Sequence, residues 1–587
     1  MRYPQLKVKQ SIRQMVDEFK GYNHNLRIGD GEFYEMKNMT SDHYPVLAPR
    51  GKRGDYPVFV PPNNANGLIA KNGSLCYVDG HDFVMNGLAY DLGLSTDDRK
   101  KQLIPMGAYV IIMPDKKYIN TSDTSDFGDI EASFYSGENQ VSITPCTITG
   151  ENMGEALLSV TAPTDPKDKD LWVDTSGDTR VLKRYSAASA TWVSVPNTYV
   201  RINCNGIGKQ FKPYDGVTVS GLEGAEPSKL NGSAVVWGCA DNYLVLTGLI
   251  PYALPTVVME EFHVVRNMPE MDYIIESDNR LWGCRYGVNS NGDTVNEIYA
   301  SKLGDFKNWN CFMGLSTDSY AASCGTDGPF TGAITHLGFP LFFKENFIHK
   351  VYGNYPANFQ IQVTACRGVQ IGSDRSLAIV NETLFYKSRG AVCAYDGSLP
   401  VEVSYALGNE TYSEAVGGAH RNKYYISMKD SAEKWHLFVY SVQTGMWHRE
   451  DDFRADCFCS FMDNLYAIEH GSKNIIALLG SKTREEEKVS WMVQTGPIGT
   501  DMPDMKYISR LVVRLSLDQG TRVRMLIQYD SMGGWEHICT LLGRHLRSFS
   551  IPVRPRRCDH MRLRIEGEGD ARIYSITKTI EQGSDIS

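Results

Sequence analysis

Short apolar runs, bounded by Gly, Asn and Asp, recur along most of this chain. Within them, aromatic and β-branched side chains alternate with polar ones or form brief unbroken stretches, which is typical of strands. A helical period is rare, and its best candidates are KQSIRQMVDEF near the start and SKTREEEKV at 481–489. The pattern therefore predicts an all-β fold.

The strand runs also repeat as strand-turn-strand units. Equivalent strands return roughly every 40 to 60 residues, which is the spacing of β-propeller blades. Five units lie at 271–287, 332–353, 375–397, 414–450 and 454–480, and a sixth joins 71–91 to 107–122. We predict a β-propeller of about six blades. A β-helix or a pair of sandwiches would produce similar runs and remains an alternative.

Two regions break the repeat. In residues 126–262, APTDPKDKDLWVDTSG and LKRYSAASATWVSV predict two strands around a polar turn, with Trp172 packed on Trp192. We interpret this region as a β domain inserted into a blade, because blade loops tolerate insertions. After residue 485 the strands alternate apolar and charged residues, as in sheets with one wet face, and predict a C-terminal β-sandwich.

These observations divide the chain into four parts. They are an extended lead-in with the first blade (1–125), the inserted β domain (126–262), the remaining blades (263–485) and the C-terminal sandwich (486–587).

Arginine dominates the wet positions of the predicted sandwich. The residues are Arg510, Arg514, Arg522, Arg524, Arg544, Arg547, Arg554, Arg556, Arg557, Arg562, Arg564 and Arg572. They are either solvated outer faces of the sheets or a docking surface for an acidic partner chain.

Charge and composition narrow the function. At 587 residues the chain has room for two to four domains, and its net charge of -9 argues against a broad electrostatic grip on nucleic acid. An acidic wall would still let DNA slide past it, because it makes few contacts to phosphates and each such contact slows the DNA. Since no apolar run approaches membrane-spanning length and no secretory signal is evident, we expect no membrane contact and synthesis in a cytosol.

Catalytic and metal-binding patterns are missing from the sequence. The thirteen cysteines are scattered without a CxxC pair, so we expect buried thiols and no metal or cofactor. No GxSxG, P-loop, HExxH or strand-linked GxGxxG is present. Propeller glycosidases need two carboxyl groups, and here Asp272, Glu276 and Asp278 are the candidates, beside Arg280, Arg285 and Tyr286. Solvated turn and strand positions explain these residues more simply, so we expect no catalytic residue.

The run QSIRQMVDEFKGYNHNLRIGDGEFYEMKNMTSDHYPVLAPRGKRG resembles the opening of tail-tubular-B-like hub or nozzle proteins of short-tailed phages. NRLWG with NEIYASKLGDFKNWNCF (296–312) and the module at 162–195 are similar to further elements of such phage proteins. The resemblance implies a non-enzymatic virion protein, made in the bacterial cytoplasm. Six copies would form a ring below the portal and adaptor that lines the DNA exit channel, without sequence-specific DNA binding.

The block NMTSDHYPVLAPRGKRG (38–54) then predicts a structural strap. Pro45 and Pro49 favour extended backbone in the residues before them. Arg50, Lys52 and Arg53 would be free to pair with acids of the same or a neighbouring subunit, so we predict a subunit interface there. On this interpretation, Arg53→Glu disturbs ring assembly before folding.

Two other functions stay open. The first is a distal tail or fibre protein that binds a host glycan through aromatic residues such as Trp309 or Trp435. The second is a glycosidase or depolymerase propeller that uses the carboxylates near Asp278.

Overall fold

A computed structural model of the chain describes residues 11–57, 62–481, 485–542 and 545–583. The described residues contain strands and four 3-10 helices, and no α-helix. The 3-10 helices are Pro227–Leu230, Pro356–Asn358, Asp374–Ser376 and Tyr405–Leu407.

The N-terminal segment contributes six short strands, which end up in three different sheets and one isolated hairpin. They are β1 (Ser11–Val16), β2 (Gly21–Tyr22), β3 (Glu32–Lys37), β4 (Met39–Thr40), β5 (Ala48–Pro49) and β6 (Gly54–Asp55).

The first two propeller sheets follow directly. The first contains β7 (Ala65–Lys71), β8 (Ser74–Asp79), β9 (Asp82–Met85) and β10 (Leu88–Asp91). The second contains β11 (Gln102–Met106), β12 (Tyr109–Met113), β13 (Lys117–Asn120) and β14 (Phe127–Asp129).

The inserted domain comes next and has two sheets. Its strands are β15 (Ala132–Tyr135), β16 (Gln140–Cys146), β17 (Ala156–Ser159), β18 (Leu171–Asp174), β19 (Val181–Ser186), β20 (Thr191–Ser194), β21 (Tyr199–Asn203), β22 (Gly216–Ser220), β23 (Gly232–Ala240), β24 (Tyr243–Thr247), β25 (Val257–Val258) and β26 (His263–Arg266). Strands β17 to β20 form a small sheet in which β17 and β18 are parallel, and the others form a sheet of eight strands in the order β15-β26-β22-β23-β24-β21-β16-β25.

Five more propeller sheets complete the ring. The third sheet contains β27 (Tyr273–Ser277), β28 (Arg280–Val288), β29 (Thr294–Ala300) and β30 (Tyr320–Ser323), and the fourth contains β31 (Gly332–His336), β32 (Phe339–Lys344), β33 (Phe347–Tyr352) and β34 (Gln360–Ala365). The fifth contains β35 (Ala378–Val380), β36 (Thr383–Lys387), β37 (Val392–Tyr395) and β38 (Val401–Glu402), and the sixth contains β39 (Ser413–His420), β40 (Lys423–Lys429), β41 (Trp435–Ser441) and β42 (Met446–Arg449). The seventh contains β43 (Ala455–Phe461), β44 (Asn464–Glu469) and β45 (Ile475–Ala477), together with β6.

The C-terminal strands finish the chain. They are β46 (Ser490–Thr495), β47 (Lys506–Leu517), β48 (Arg522–Tyr529), β49 (Glu536–Leu541), β50 (Arg547–Ile551), β51 (Met561–Glu568) and β52 (Ala571–Gln582).

Apolar packing joins the seven propeller sheets into a ring. Each neighbouring pair shares one cluster of buried residues, such as Val78 with Val110 between the first and second sheets. A further cluster joins the seventh sheet to the first, where Ile468 and Ala477 pack with Leu75 and Tyr77. Because every sheet buries both faces against neighbours, its inner strands, such as β8, β32 and β40, are nearly continuous in buried residues, which is why the repeat was visible in the sequence.

The prediction of a propeller with an inserted β domain and a C-terminal sandwich is confirmed, with two corrections. The unit counted as one blade at 71–91 and 107–122 is two sheets, so the propeller has seven blades and not about six. The inserted domain lies between the second and third sheets and not within one. Its predicted aromatic pair is confirmed, since the Trp172 and Trp192 ring centroids are 5.5 Å apart.

The sandwich takes strands from both ends of the chain. One sheet has the order β1-β52-β47-β50, and the facing strands are β3-β46-β51-β48-β49. Strand β2 pairs with β3 on one side and with β42 of the sixth blade on the other, so blade and sandwich share one ten-stranded sheet. The expected divisions 1–125 and 486–587 therefore cut through the sandwich.

One of the two predicted helices is wrong, because its residues pair with a strand of the sandwich. Residues 11–16 form β1, which pairs with β52 over six positions from Ser11↔Glu581 to Val16↔Ile576. Pairing with a distant strand overrides the weak helical period of this segment. The second candidate, 481–489, includes residues outside the described ranges.

Two methionines of the N-terminal segment test its place in the sandwich core. Met36 of β3 is 0% exposed and packs in that core, whereas Met15 of β1 is 62% exposed. We expect Met36→Ala to lower the free energy of unfolding by about 2–5 kcal/mol through lost burial and a cavity. Met15→Ala should change it by less than about 0.5 kcal/mol. Equal effects in denaturant unfolding would contradict the assignment of β3 to the core.

Candidate functional site

The segment singled out in the sequence, 38–54, lies where the propeller, the sandwich and the N-terminal strands meet. Strand β4 pairs with β5, and β6 adds to the edge of the seventh sheet through Asp55↔Ile476 and Gly54↔Ala477. The turn between β4 and β5 holds a cis peptide bond at Pro45. The expected extended strap is therefore an anchored hairpin followed by the last strand of the propeller.

Arg50 lies at the base of this hairpin and binds the start of the C-terminal region. Its Nη1 donates to Glu486 Oε2 at 2.7 Å and its Nη2 to Glu486 Oε1 at 3.1 Å. Its Nε donates to Asn38 Oδ1 at 2.9 Å. This two-pronged pairing is the strong geometry for an arginine and a carboxylate.

Arg53 makes the same kind of contact to the end of the sixth blade. Its Nη1 and Nη2 donate to Asp451 Oδ2 and Oδ1 at 2.8 and 3.0 Å, and Nη2 also donates to Glu450 Oε2 at 2.7 Å. The guanidinium carbon lies 4.9 Å from the centroid of the Phe453 ring. Arg53 thus has charged partners along its plane and an aromatic face beside it.

We call Arg50, Arg53, Glu450, Asp451 and Glu486 the charge junction. Arg50 and Arg53 are only 5% and 7% exposed. Burial disfavours the charged form of Arg53, but Asp451 and then Glu450 outweigh it and raise its pKa. Burial likewise opposes ionisation of Asp451 and Glu486, yet the arginines hold the pKa of both carboxyls below the ordinary range. Arg53, Asp451 and Glu486 are therefore held in their charged forms.

The expected pairing of the arginines with acids occurs within this chain, and a subunit interface at this block stays a prediction. Arg50 and Arg53 are buried and paired within their own chain. Lys52 is half-buried, and its place in an interface stays a prediction. The acidic partners were missed, although the runs REDD at 449–452 and EEE at 485–487 carry the opposite charge to RGKR.

The glycosidase candidates are engaged in local contacts of the third blade. Asp272 Oδ1 accepts from Arg285 Nη1 at 2.7 Å, and Glu276 Oε1 accepts from the backbone N–H of Asn279 at 2.9 Å. Asp278 occupies a tight turn with φ of 51°. Arg280 is buried and donates to backbone carbonyls, among them Ser301 O at 2.7 Å. These residues hold a hairpin together.

The aromatic glycan-binding candidates are also occupied. Trp309 is 4% exposed and packs between the second and third sheets. Trp435 is half-buried, and the Arg454 guanidinium carbon lies 4.5 Å from the centroid of its ring. Trp309 therefore offers no free face on which a sugar could stack, and Arg454 covers one face of the Trp435 ring.

The propeller axis is bridged by Arg375, a residue for which the sequence carried no signal. From its position before the fifth sheet, Arg375 donates to Asp456 O of the seventh sheet at 2.8 Å and to Lys101 O beside the second at 3.0 Å. Since the second and fifth sheets are not neighbours in the ring, this side chain must cross the axis.

Tyr273 packs against the apolar cluster between the third and fourth sheets, and its chemistry argues against a nucleophile. Burial, followed by the charge of Asp374, raises the pKa of the Tyr273 hydroxyl. A nucleophilic tyrosine needs stabilisation of its phenolate, which is the opposite shift.

Within the described ranges, no group of three or more His, Cys, Asp and Glu residues could hold a metal ion. Eight of the thirteen cysteines are buried, as predicted for most of them.

Comparison with known proteins gives no family. No family model matches the sequence, and neither does any curated protein. Similar solved structures include exo-β-1,3-galactanase from Phanerochaete chrysosporium with galactose, at 9% identity over 52% of this chain and 94% of that chain, TM-score 0.20. Chaetomium thermophilum Raptor matches at 10% identity over 71% of this chain and 29% of that chain, TM-score 0.25.

Trypanosoma rangeli sialidase in complex with 2,3-difluoro-KDN matches at 10% identity over 98% of this chain and 96% of that chain, TM-score 0.22. The galactanase and the sialidase are enzymes by name, but TM-scores this low carry no argument about activity.

In the described part of the chain, none of the helices has the length and apolar character to cross a membrane.

Loss of one charge from the junction should destabilise the fold. We expect Arg53→Gln to lower the free energy of unfolding by about 3–5 kcal/mol, because Asp451 and Glu450 would stay buried without their partner. Arg389→Gln is the control, since Arg389 is exposed at a blade turn. Chemical denaturation measures both variants. If Arg53→Gln unfolds like the wild type and only assembly changes, the original interface prediction stands instead.

Acid should weaken the junction in a defined pH range. The pKa of Asp451 in the folded chain lies below its ordinary value of 3.8. The ion pair therefore contributes its full stability above about pH 4 and loses it as the pH falls through the folded-state pKa. We expect the stability gap between wild type and Asp451→Asn to narrow below about pH 4. The gap for Asp463→Asn, whose side chain is 98% exposed, should stay near zero throughout.

Proposed function

We propose that this chain is a virion structural protein of a phage tail. In this proposal it forms a ring-shaped nozzle or hub below the portal and adaptor, retains packaged DNA and conducts it out at infection. It acts without catalysis and without reading DNA sequence.

The observation that carries the proposal is the position of the block 38–54, on which the resemblance to tail hub proteins rests most. Its residues supply the last strand of the propeller and the buried arginines of the charge junction. The block therefore has a structural role in a chain that combines a lead-in, a propeller, an inserted β domain and a sandwich.

Because the propeller axis is bridged, we place the proposed DNA channel between copies of the chain and not through a single propeller. Arg375 crosses the axis of a single propeller, where its guanidinium holds backbone carbonyls of two other sheets. A ring of identical subunits provides a wider opening around its own symmetry axis, provided that the rotation between copies closes.

Exposed apolar residues of the inserted domain are suited to contacts between such copies. Leu157 and Val160 are 55% and 64% exposed along one edge of the small sheet, and Val193 on the opposite edge strand is 52% exposed. Apolar sheet edges are usually covered by a partner or protected by charge. In the proposed ring, these edges meet a neighbouring copy.

Assembly tests the proposal directly. Native mass spectrometry and negative-stain imaging of the purified chain, alone or with adaptor, should reveal a six-fold ring. We expect the double variant Leu157→Asp and Val160→Asp to shift the population to monomers by at least about tenfold, because charges would replace apolar contacts. Its melting temperature should stay unchanged.

The control for assembly is Met532→Asp, which changes a 76% exposed apolar residue in a turn of the sandwich. It should leave the ring intact. A chain that stays monomeric at every concentration, with adaptor present, would contradict the proposed function.

A further inference from the structure

The outer face of the sheet β1-β52-β47-β50 carries exposed arginines in an acidic protein. We call Arg13, Arg510, Arg514, Ser575, Thr577 and Thr579 the arginine face. Strand alternation directs them all to one side, because the residues between them, such as Leu511, Val513 and Ile576, are buried in the sandwich core.

The strand register places these side chains in adjacent rows. Arg13 lies opposite Thr579, and Thr579 lies opposite Arg510 on the other side. Arg514 lies opposite Ser575. From strand spacing and rise, Arg13 and Arg510 are about 10 Å apart across the sheet, and Arg510 and Arg514 about 13 Å apart along it. The cations therefore form a flat triangle with hydroxyl groups between them.

Their charges are not neutralised locally. Arg13, Arg510 and Arg514 are exposed, and within the described ranges none of them forms an ion pair. On the facing sheet, by contrast, Arg524 binds Glu566 at 2.7 Å.

The charge of the chain is also divided. Residues 486–587 hold 15 Lys and Arg against 13 Asp and Glu, a net charge of +2, which leaves -11 for residues 1–485. Positive charge is thus concentrated in the part of the chain that supplies most of the sandwich, although the whole chain is acidic.

The chemistry of the face matches phosphate groups better than a protein surface. Arginine and hydroxyl side chains are the usual ligands of phosphate oxygens in nucleic-acid backbones. Protein interfaces have an apolar centre, whereas this face has only Met15 and Val512 as apolar members of its middle row. Its aromatic side chain, Tyr507, is engaged at the edge of the face, where its hydroxyl donates to Glu581 Oε2 at 2.7 Å, and the flat sheet has no element that could enter a groove.

We propose that the arginine face contacts the phosphate backbone of duplex DNA without reading its sequence. This inference rests on the proposed function, since it names the surface that would meet the conducted DNA. Three contacts per copy give weak, salt-sensitive binding, which retains DNA yet lets it move.

The test is fluorescence anisotropy of the full chain with a labelled duplex of about 30 base pairs, from about 50 to 200 mM salt. With three phosphate contacts per site, the logarithm of the binding constant should fall against the logarithm of salt concentration with a slope of about -2 to -3. The double variant Arg510→Gln and Arg514→Gln should reduce that slope by about 2. Arg510→Lys, which keeps the charge, should retain it.

Arg522→Gln is the matched control, because Arg522 is an exposed strand arginine of the facing sheet. It should bind the duplex as the wild type does. Absence of duplex binding at about 50 mM salt, or binding that ignores the double substitution, would overturn the inference. So would arginine-dependent binding of poly-glutamate in place of DNA, which would assign the face to an acidic protein.

Native mass spectrometry of the same samples separates the two proposals. An arginine-dependent salt slope in a chain that never forms a ring would overturn the proposed function alone. A six-fold ring whose DNA binding ignores the arginines would overturn this inference alone.

Discussion

The pairing of β6 with β45 organises the molecule around one contact between distant parts of the chain. A two-residue strand near the start of the chain completes the last propeller sheet, so the ends of the chain must meet beside the sixth and seventh blades. Such a short strand contributes few hydrogen bonds, and closing a loop of several hundred residues is costly in entropy. The charge junction offsets this cost, since Arg50 and Arg53 fix the approach of β6 through charged hydrogen bonds shielded from water.

The same constraint explains why the sandwich is not a separate unit. Once the N-terminal segment lies against the sixth blade, β2 extends that blade and β3 continues into the sandwich. Met36 and Trp447 then share one apolar core with strands from the C-terminal region. Propeller and sandwich are held by a continuous sheet as well as by side-chain packing, which gives the molecule few places to hinge between them.

The proposed function would use the outer surfaces of this architecture. The axis is bridged by Arg375, and the carboxylates of the third blade are engaged in a hairpin. What remains available are the apolar edges of the inserted domain and the basic outer face of the sandwich. Both suit contacts with large partners, because they are flat and exposed, whereas small ligands usually need an enclosed pocket.

The strands of the blades and the packing of Trp172 on Trp192 were predictable from the sequence, because alternation and turn residues act between near neighbours. The sequence also pointed to the arginines of the strap, without their role. The strand at residues 11–16, the division of one unit into two blades, and the burial of Arg50 and Arg53 became visible once the chain had folded. Each of these depends on a partner far along the chain, as with Arg50 and Glu486, 436 residues apart, and no local pattern records which distant groups will meet.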